Sequence, residues 1–251
     1  MNGGRMMIGV GTLINALAII LGAGVGLLIK HGIPERVKHT IMQGIGLAVV
    51  LIGLSGALQE VLQVGVDGRL EHRFTMLIIF CLVGGGLLGA LFRLEEHIGR
   101  VGQRLEKRFS GLGGDFARGF ITASLVFCVG AMAVVGALEE GLTGKIEILL
   151  SKSLLDGISA VIFGASLGPG VLFSAGAVLL YQGILTFLAG LVKTVMTAEV
   201  VSQMAAVGGI LIIGIGFNLL EITEIKVGNL LPAIFLPILI DLAQKGLLAL
   251  A

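Results

Sequence analysis

The sequence predicts an all-α protein, a polytopic transmembrane helical bundle of about 7–8 segments with internal helix-pair repeats and a broken or re-entrant helix. Three observations predict it. Apolar residues make up 56% of the 251 residues and charged residues only 13%, against about 25% charged in soluble domains. Charge-free windows at 6–29, 40–59, 74–92, 119–138 and 200–220 meet or approach the length of a membrane span, because about 20 apolar residues are needed to cross about 30 Å of hydrocarbon. Glycine-rich apolar runs ending in short polar segments recur along the chain. All 251 residues are expected to form a single integral membrane domain.

Each element follows from its local pattern. The first apolar run has no small-residue cleavage site after it, so it reads as a retained span and not as a signal peptide. The windows at 40–59, 74–92, 119–138 and 200–220 read as spans by length. Between Asp156 and Lys193 lie 36 uncharged residues, too many for one span and barely enough for two, with Gly168-Pro169-Gly170 near the middle. That pattern predicts a tight hairpin or a broken helix, and leaves open whether 148–167 spans or is re-entrant. Residues 227–243 carry Pro232 and Pro237 and read as a kinked span or a half-membrane segment.

Lys and Arg in short loops set orientation. Lys30, Arg36 and Lys38 after the first span, and Arg93, Arg100, Arg104, Lys107, Arg108 and Arg118 after the third, place loops 30–39 and 93–118 in the cytoplasm and loop 60–73 outside. Within the second of these, Ile98, Val101, Leu105 and Phe109 recur at helical spacing against basic residues. Residues 97–109 thus suit a cytoplasmic amphipathic helix at the headgroup layer or a solvated linker helix. Glu95, Glu96 and Glu106 interrupt the basic cluster and the net charge is only +1, which excludes a nucleic-acid partner.

The repeats group as helix pairs at about 8–62, 75–142 and 168–222, with 148–167 and 227–243 as extra segments. LGAGVGLLIKHGIPERV (21–37) lies beside VGGGLLGALFRLEEHIGRV (83–101), and more weakly beside FLAGLVKTVMTAEVV (187–201). Transport folds are often built from such repeats, with the substrate site near the midplane where helices are interrupted. Most of the 41 glycines have the simpler role of letting helices approach closely.

Four segments carry a family resemblance: IPERVKHTIMQGIGLAVVLIGL (33–54), GFITASLVFCVGAMAVVGALEEG (119–141), KSLLDGISAVIFGASLGPGVLFSA (152–175) and GGILIIGIGFNLLEITEIKVGNLLPAI (208–234). In this order they resemble the bacterial inner-membrane proteins of the YqgA/YdfK type, domain of unknown function 554. The resemblance implies a multi-pass protein of the inner (plasma) membrane and a sodium channel or pump. One departure is Gln182 in LLYQGIL, where members of that family can carry a glutamate.

Polar side chains inside hydrocarbon are expensive and are therefore functional candidates. Asn15, Gln43, Thr122, Ser124, Ser174, Gln182, Asn218 and Asn229 lie in or beside spans, and Asp156 is the sole carboxylate of the broken region. The expected ion-binding set is Asp156, Asn15, Ser174, Gln182, Asn218 and Asn229. Oxygen ligands suit hard cations, and carbonyls freed at Gly168-Pro169-Gly170 are expected to join Asp156, Ser174 and Gln182 around sodium or a proton. The competing reading has Asp156 capping the helix that starts at Gly157. Glu60, Glu139 and Glu140 read as interfacial charges at span ends. Cys81 and Cys128 have no CxxC spacing, and no HExxH, GxSxG or phosphate-loop motif occurs. No enzyme activity, cofactor or metal centre is expected.

Two classes of function follow. One is a transporter or channel for a small cation or small solute; the other is a non-transporting scaffold or sensor using the basic helix at 97–109. The expected partners are the lipid bilayer and a monovalent cation, and self-association into a homo-oligomer is left open.

Overall fold

The computed structural model describes residues 8–30, 35–64, 69–98, 100, 116–128 and 131–250. Its helices are α1 (Val10–Lys30), α2 (Glu35–Val61), α3 (Thr75–Leu91), α4 (Phe116–Cys128), α5 (Ala131–Thr143), α6 (Glu147–Leu167), α7 (Gly170–Phe187), α8 (Ala189–Val192), α9 (Ala198–Leu219), α10 (Val227–Leu230) and α11 (Leu236–Leu250). A 3-10 turn, Leu231–Ile234, joins the last two. Two short strands, β1 (Leu62–Val64) and β2 (Leu70–His72), pair antiparallel with Leu62 opposite His72.

Among the described residues six helical stretches are long and apolar enough to cross a membrane: Val10–Ile29, Met42–Val61, Glu147–Leu167, Gly170–Phe187, Ala198–Leu219 and Val227–Lys245. A seventh is the pair Phe116–Cys128 and Met132–Thr143, bent by 59°, if it counts as one span. α3 is apolar but shorter, at 17 residues. The segment left open by the sequence, 148–167, is thus a full-length helix of 21 residues. The bend of the fold lies in α4–α5, while Gly168-Pro169-Gly170 is a turn between two helices that are each long enough to span.

Every spanning helix has to satisfy two surroundings. On α1 the buried positions Thr12, Asn15, Ile19, Ala23 and Leu27 recur every three to four residues, while Leu13, Leu17, Leu21 and Leu28 on the other side are exposed. A soluble protein rarely leaves so continuous an apolar surface uncovered. In a bilayer that surface faces lipid, and only the stripe with small or polar residues needs a protein neighbour.

The contacts divide the chain into two compact units, residues 1–41 with 100–194 and residues 42–99 with 195–251. Each of the segments 8–62, 75–142 and 168–222 has one part in each unit. In the first unit α1 runs along α6 and also packs on α7, and α4 packs on α7. Close approach is built in by glycine. A Cβ on Gly22 would strike the Gly157 carbonyl and one on Gly26 the Val161 carbonyl, both on α6. The α6–α7 turn works the same way: Gly168 has a left-handed φ of 87°, which glycine adopts without penalty, and a Cβ on Gly170 would strike the Phe116 carbonyl of α4.

In the second unit Gly53 of α2 lies against Gly209 and Ile213 of α9, and Gly85 and Gly89 of α3 against Ala233 and Asn229. Glu60 on α2 accepts a hydrogen bond from Ser202 on α9. Arg73 pairs with Glu199 at 3.9 Å, and its guanidinium lies 4.5 Å over the Phe74 ring.

Candidate functional site

The buried stripes of α1, α6 and α7 each carry polar residues, and in the first unit these converge. On α6 the stripe reads Leu149, Lys152, Ser153, Asp156, Ala160, Phe163 and Gly164; on α7 it includes Ser174, Ala175, Val178, Gln182 and Leu185. Asn15 Nδ2 donates to Asp156 Oδ2 at 3.0 Å and to Gln182 Oε1 at 3.3 Å. Lys152 Nζ donates to Asp156 Oδ1 at 2.9 Å and stands 2.8 Å from Oδ2. Asn15 and Gln182 are 0% exposed, Asp156 6% and Lys152 7%. Asp156 comes nine residues after Glu147 and eleven before Leu167, which puts it near the middle of α6, about 14 Å from its start.

Next to this layer stands a second. Glu140 on α5 is 0% exposed, and its carboxylate caps the start of α1. It accepts from Gly9 N at 3.2 Å, Gly11 N at 2.6 Å, Thr12 N at 3.3 Å and Thr12 Oγ1 at 3.1 Å. A carboxylate there meets unpaired N–H groups and the positive end of the helix dipole. Thr12 Oγ1 is also 3.3 Å from Thr186 Oγ1 on α7.

Electrostatically the first layer is a neutral pair. Two charges taken out of water attract strongly, yet each carries a desolvation cost of several kcal/mol, so such a pair is weak evidence for stability on its own. Two amide atoms of the layer, Asn15 Oδ1 and Gln182 Nε2, have no hydrogen-bond partner among the described residues. The layer therefore offers a free acceptor and a free donor beside a charge pair, all of it enclosed by apolar helices.

Of the residues expected at the site, the structure brings together Asn15, Asp156 and Gln182. Ser174 is buried on α7 but donates to its own helix, at Val171 O, 2.6 Å away. Asn218 and Asn229 belong to the other unit. There Asn218 braces the turn after α9 with two bonds to the backbone of Ile225, of 2.7 and 2.8 Å, and Asn229 accepts from Glu95 N at 3.0 Å while Glu95 accepts from Gly228 N at 2.6 Å. Two further expectations need correction. Asp156 is no N-cap, because α6 begins at Glu147. The carbonyls of the Gly168 turn are no neighbours of Asp156 either, since Gly168 comes twelve positions further along the chain at the end of the same helix, about 18 Å along the axis.

Sequence reasoning passed over Lys152, Thr12 and Thr186, and its reading of Glu140 as an interfacial charge is corrected by that residue's full burial. The signals were there: Lys152 and Asp156 are four residues apart and therefore share a helix face, and Glu140 falls on the buried stripe of Ala133 and Ala137, with Glu139 beside it off that stripe. Among the described residues no three His, Cys, Asp or Glu side chains come together as a metal site would need. The basic helix expected at 97–109 lies, from residue 101 onward, outside the described residues.

The family described as "Protein of unknown function (DUF554)" matches residues 10–242. The chain belongs to the DUF554 family. Two relatives in that family match nearly end to end. The uncharacterized membrane protein YdfK of Bacillus subtilis (strain 168) is 30% identical over 227 residues, 90% of this chain and 93% of YdfK. The uncharacterized protein YqgA of Escherichia coli (strain K12) is 29% identical over 232 residues, 90% of this chain and 94% of YqgA. No solved structure matches this DUF554 protein. With six to seven helices among the described residues fit to cross a bilayer, it is a multi-pass membrane protein.

Proposed function

We propose that this DUF554 protein is a transporter or channel of the bacterial plasma membrane for a small cation, sodium or a proton, or for a small polar solute. The binding layer is Asn15, Lys152, Asp156 and Gln182. The observation that carries this reading is the buried Lys152–Asp156 pair with two unpartnered amide atoms beside it, near the middle of a spanning helix. Ionisable side chains at that depth are costly, and they commonly mark ion or substrate pathways. A neutral pair sets the terms for a cation. To reach the carboxylate it takes the place of the Lys152 ammonium, because adding a second positive charge to the layer leaves that charge uncompensated in a medium of low dielectric. A small neutral solute uses the free acceptor of Asn15 and the free donor of Gln182 without disturbing the pair.

Purified protein in liposomes, offered sodium, potassium, an imposed pH gradient and small neutral solutes one at a time, tests the reading. At least one of these should cross faster than in protein-free liposomes. Gln182→Leu, which is close in volume and removes an amide that is only partly paired, should fold as the parent does and lose most of that flux. Flux no greater than in empty liposomes for every probe, or a Gln182→Leu protein as fast as the parent, would contradict it.

A further inference from the structure

The two polar layers of the first unit stand one helical turn apart. Thr12 precedes Asn15 by three residues on α1, and Thr186 follows Gln182 by four on α7, so on each helix the hydroxyl and the amide share a face with Cβ atoms about 5–6 Å apart. Across the helices each layer is joined, through Thr12–Thr186 and through Asn15–Gln182, both at 3.3 Å. Between the layers the described residues make no side-chain hydrogen bond, and Asn15 Oδ1 and Gln182 Nε2 lack partners although both residues are 0% exposed. A buried polar atom left unpaired is destabilising. A hydroxyl both donates and accepts, so Thr12 and Thr186 still have capacity toward a molecule that does the same.

We propose that a water-sized hydroxylic ligand, water itself or the hydrated form of what is transported, binds between the amides of Asn15 and Gln182 and the hydroxyls of Thr12 and Thr186. A buried water makes about three hydrogen bonds to polar groups that otherwise have none, and these side chains supply that number. The ligand joins the layers into one polar path, from Glu140 at the end of α5 through Thr12 and Thr186 to Asn15, Gln182 and the Lys152–Asp156 pair. Beyond Asn15, α1 carries no polar side chain from Ala16 to Ile29, and Gly22 and Gly26 close it against the backbone of α6. On the α1 side of the α1–α6 seam the polar side chains therefore end at Asn15, and the proposed path runs from there toward Glu140. As the route by which the transported species arrives, the path rests on the transport reading; as a water-reachable channel it stands without it.

Single cysteines at Thr186 and at Ala23, in protein with Cys81 and Cys128 replaced by alanine, separate the two sides of Asp156. Both positions are buried. In membranes treated with a small cationic methanethiosulfonate, T186C should react at least about tenfold faster than A23C, because the thiolate that reacts forms where water reaches the sulfur. Equal rates, or an unreactive T186C, would overturn the path. Thr186→Val, which keeps the shape and removes only the hydroxyl, gives a second reading in flux and should slow it at least about tenfold, about 1.4 kcal/mol in barrier. The two ideas fail separately. If T186C reacts while Gln182→Leu leaves flux unchanged, the path stands and the transport reading falls; if Gln182→Leu stops flux while T186C resists the reagent, the path falls.

Discussion

At the scale of single residues, Lys152 and Asp156 behave as a unit, and removing one differs from removing both. Either single change, Lys152→Met or Asp156→Leu, leaves a buried charge without its partner at 2.8 Å, and breaking a buried pair in this way costs about 3–5 kcal/mol. The double change leaves no charge behind and should be neutral or stabilising, as replacements of buried pairs by apolar residues often are. Thermal unfolding in detergent distinguishes these outcomes: both single variants should melt well below the parent, and the double variant at or above it. Glu140 gives a second case. Glu140→Gln loses the charge and half of the acceptor capacity that holds Gly9, Gly11 and Thr12, so the same assay should show a loss of about 1.5–3 kcal/mol, the range for hydrogen bonds to charged groups.

Legibility of the site also differs residue by residue. Asn15, Asp156 and Gln182 were readable because hydrocarbon makes any amide or carboxylate conspicuous in an apolar run. Lys152 and Glu140 were not, because charges near a span end look interfacial in a linear count; only the helical stripe shows them turned inward. For Asn218 and Asn229 nothing in the sequence separates a ligand from a backbone brace. Their partners, Ile225 and Glu95, are fixed by the path of the chain after α9 and by contacts 134 residues apart.

At the scale of elements, helix contact rather than helix propensity decides the fold. α1 and α6 meet through glycines whose added Cβ would strike backbone, at Gly22 and Gly26, whereas Gly24 has nothing within 4 Å. Gly26→Val should therefore force the helices apart and lower the melting temperature sharply. Gly24→Ala should be neutral or stabilising by about 0.5–1 kcal/mol, the helix preference for alanine over glycine. Equal effects at the two positions would show that the approach of α1 to α6 is not what these glycines serve. Charge-free windows located most of these helices to within a few residues, since the bilayer sets span length. The window at 119–138 became two bent helices, and 148–167 a full span, because Lys152 and Asp156 inside it neutralise one another and hide how apolar its surroundings are.

At the scale of the whole molecule, the polar path and the charge pair belong to the unit of residues 1–41 and 100–194. The Lys and Arg bias predicts which loops share a side. Cysteines placed singly at Arg69 and Arg104 should differ in intact cells, with an impermeant thiol reagent labelling the first and sparing the second. The reverse pattern would invert the topology and with it the side from which Glu140 is reached. On the transport reading, the neutral pair inside α6 serves transport and not stability. Flux through the Lys152→Met/Asp156→Leu double variant in liposomes, measured for the cation that the parent carries, tests this. The double variant should melt at or above the parent temperature, and its flux should fall to that of empty liposomes. Flux equal to the parent from that folded double variant would contradict it.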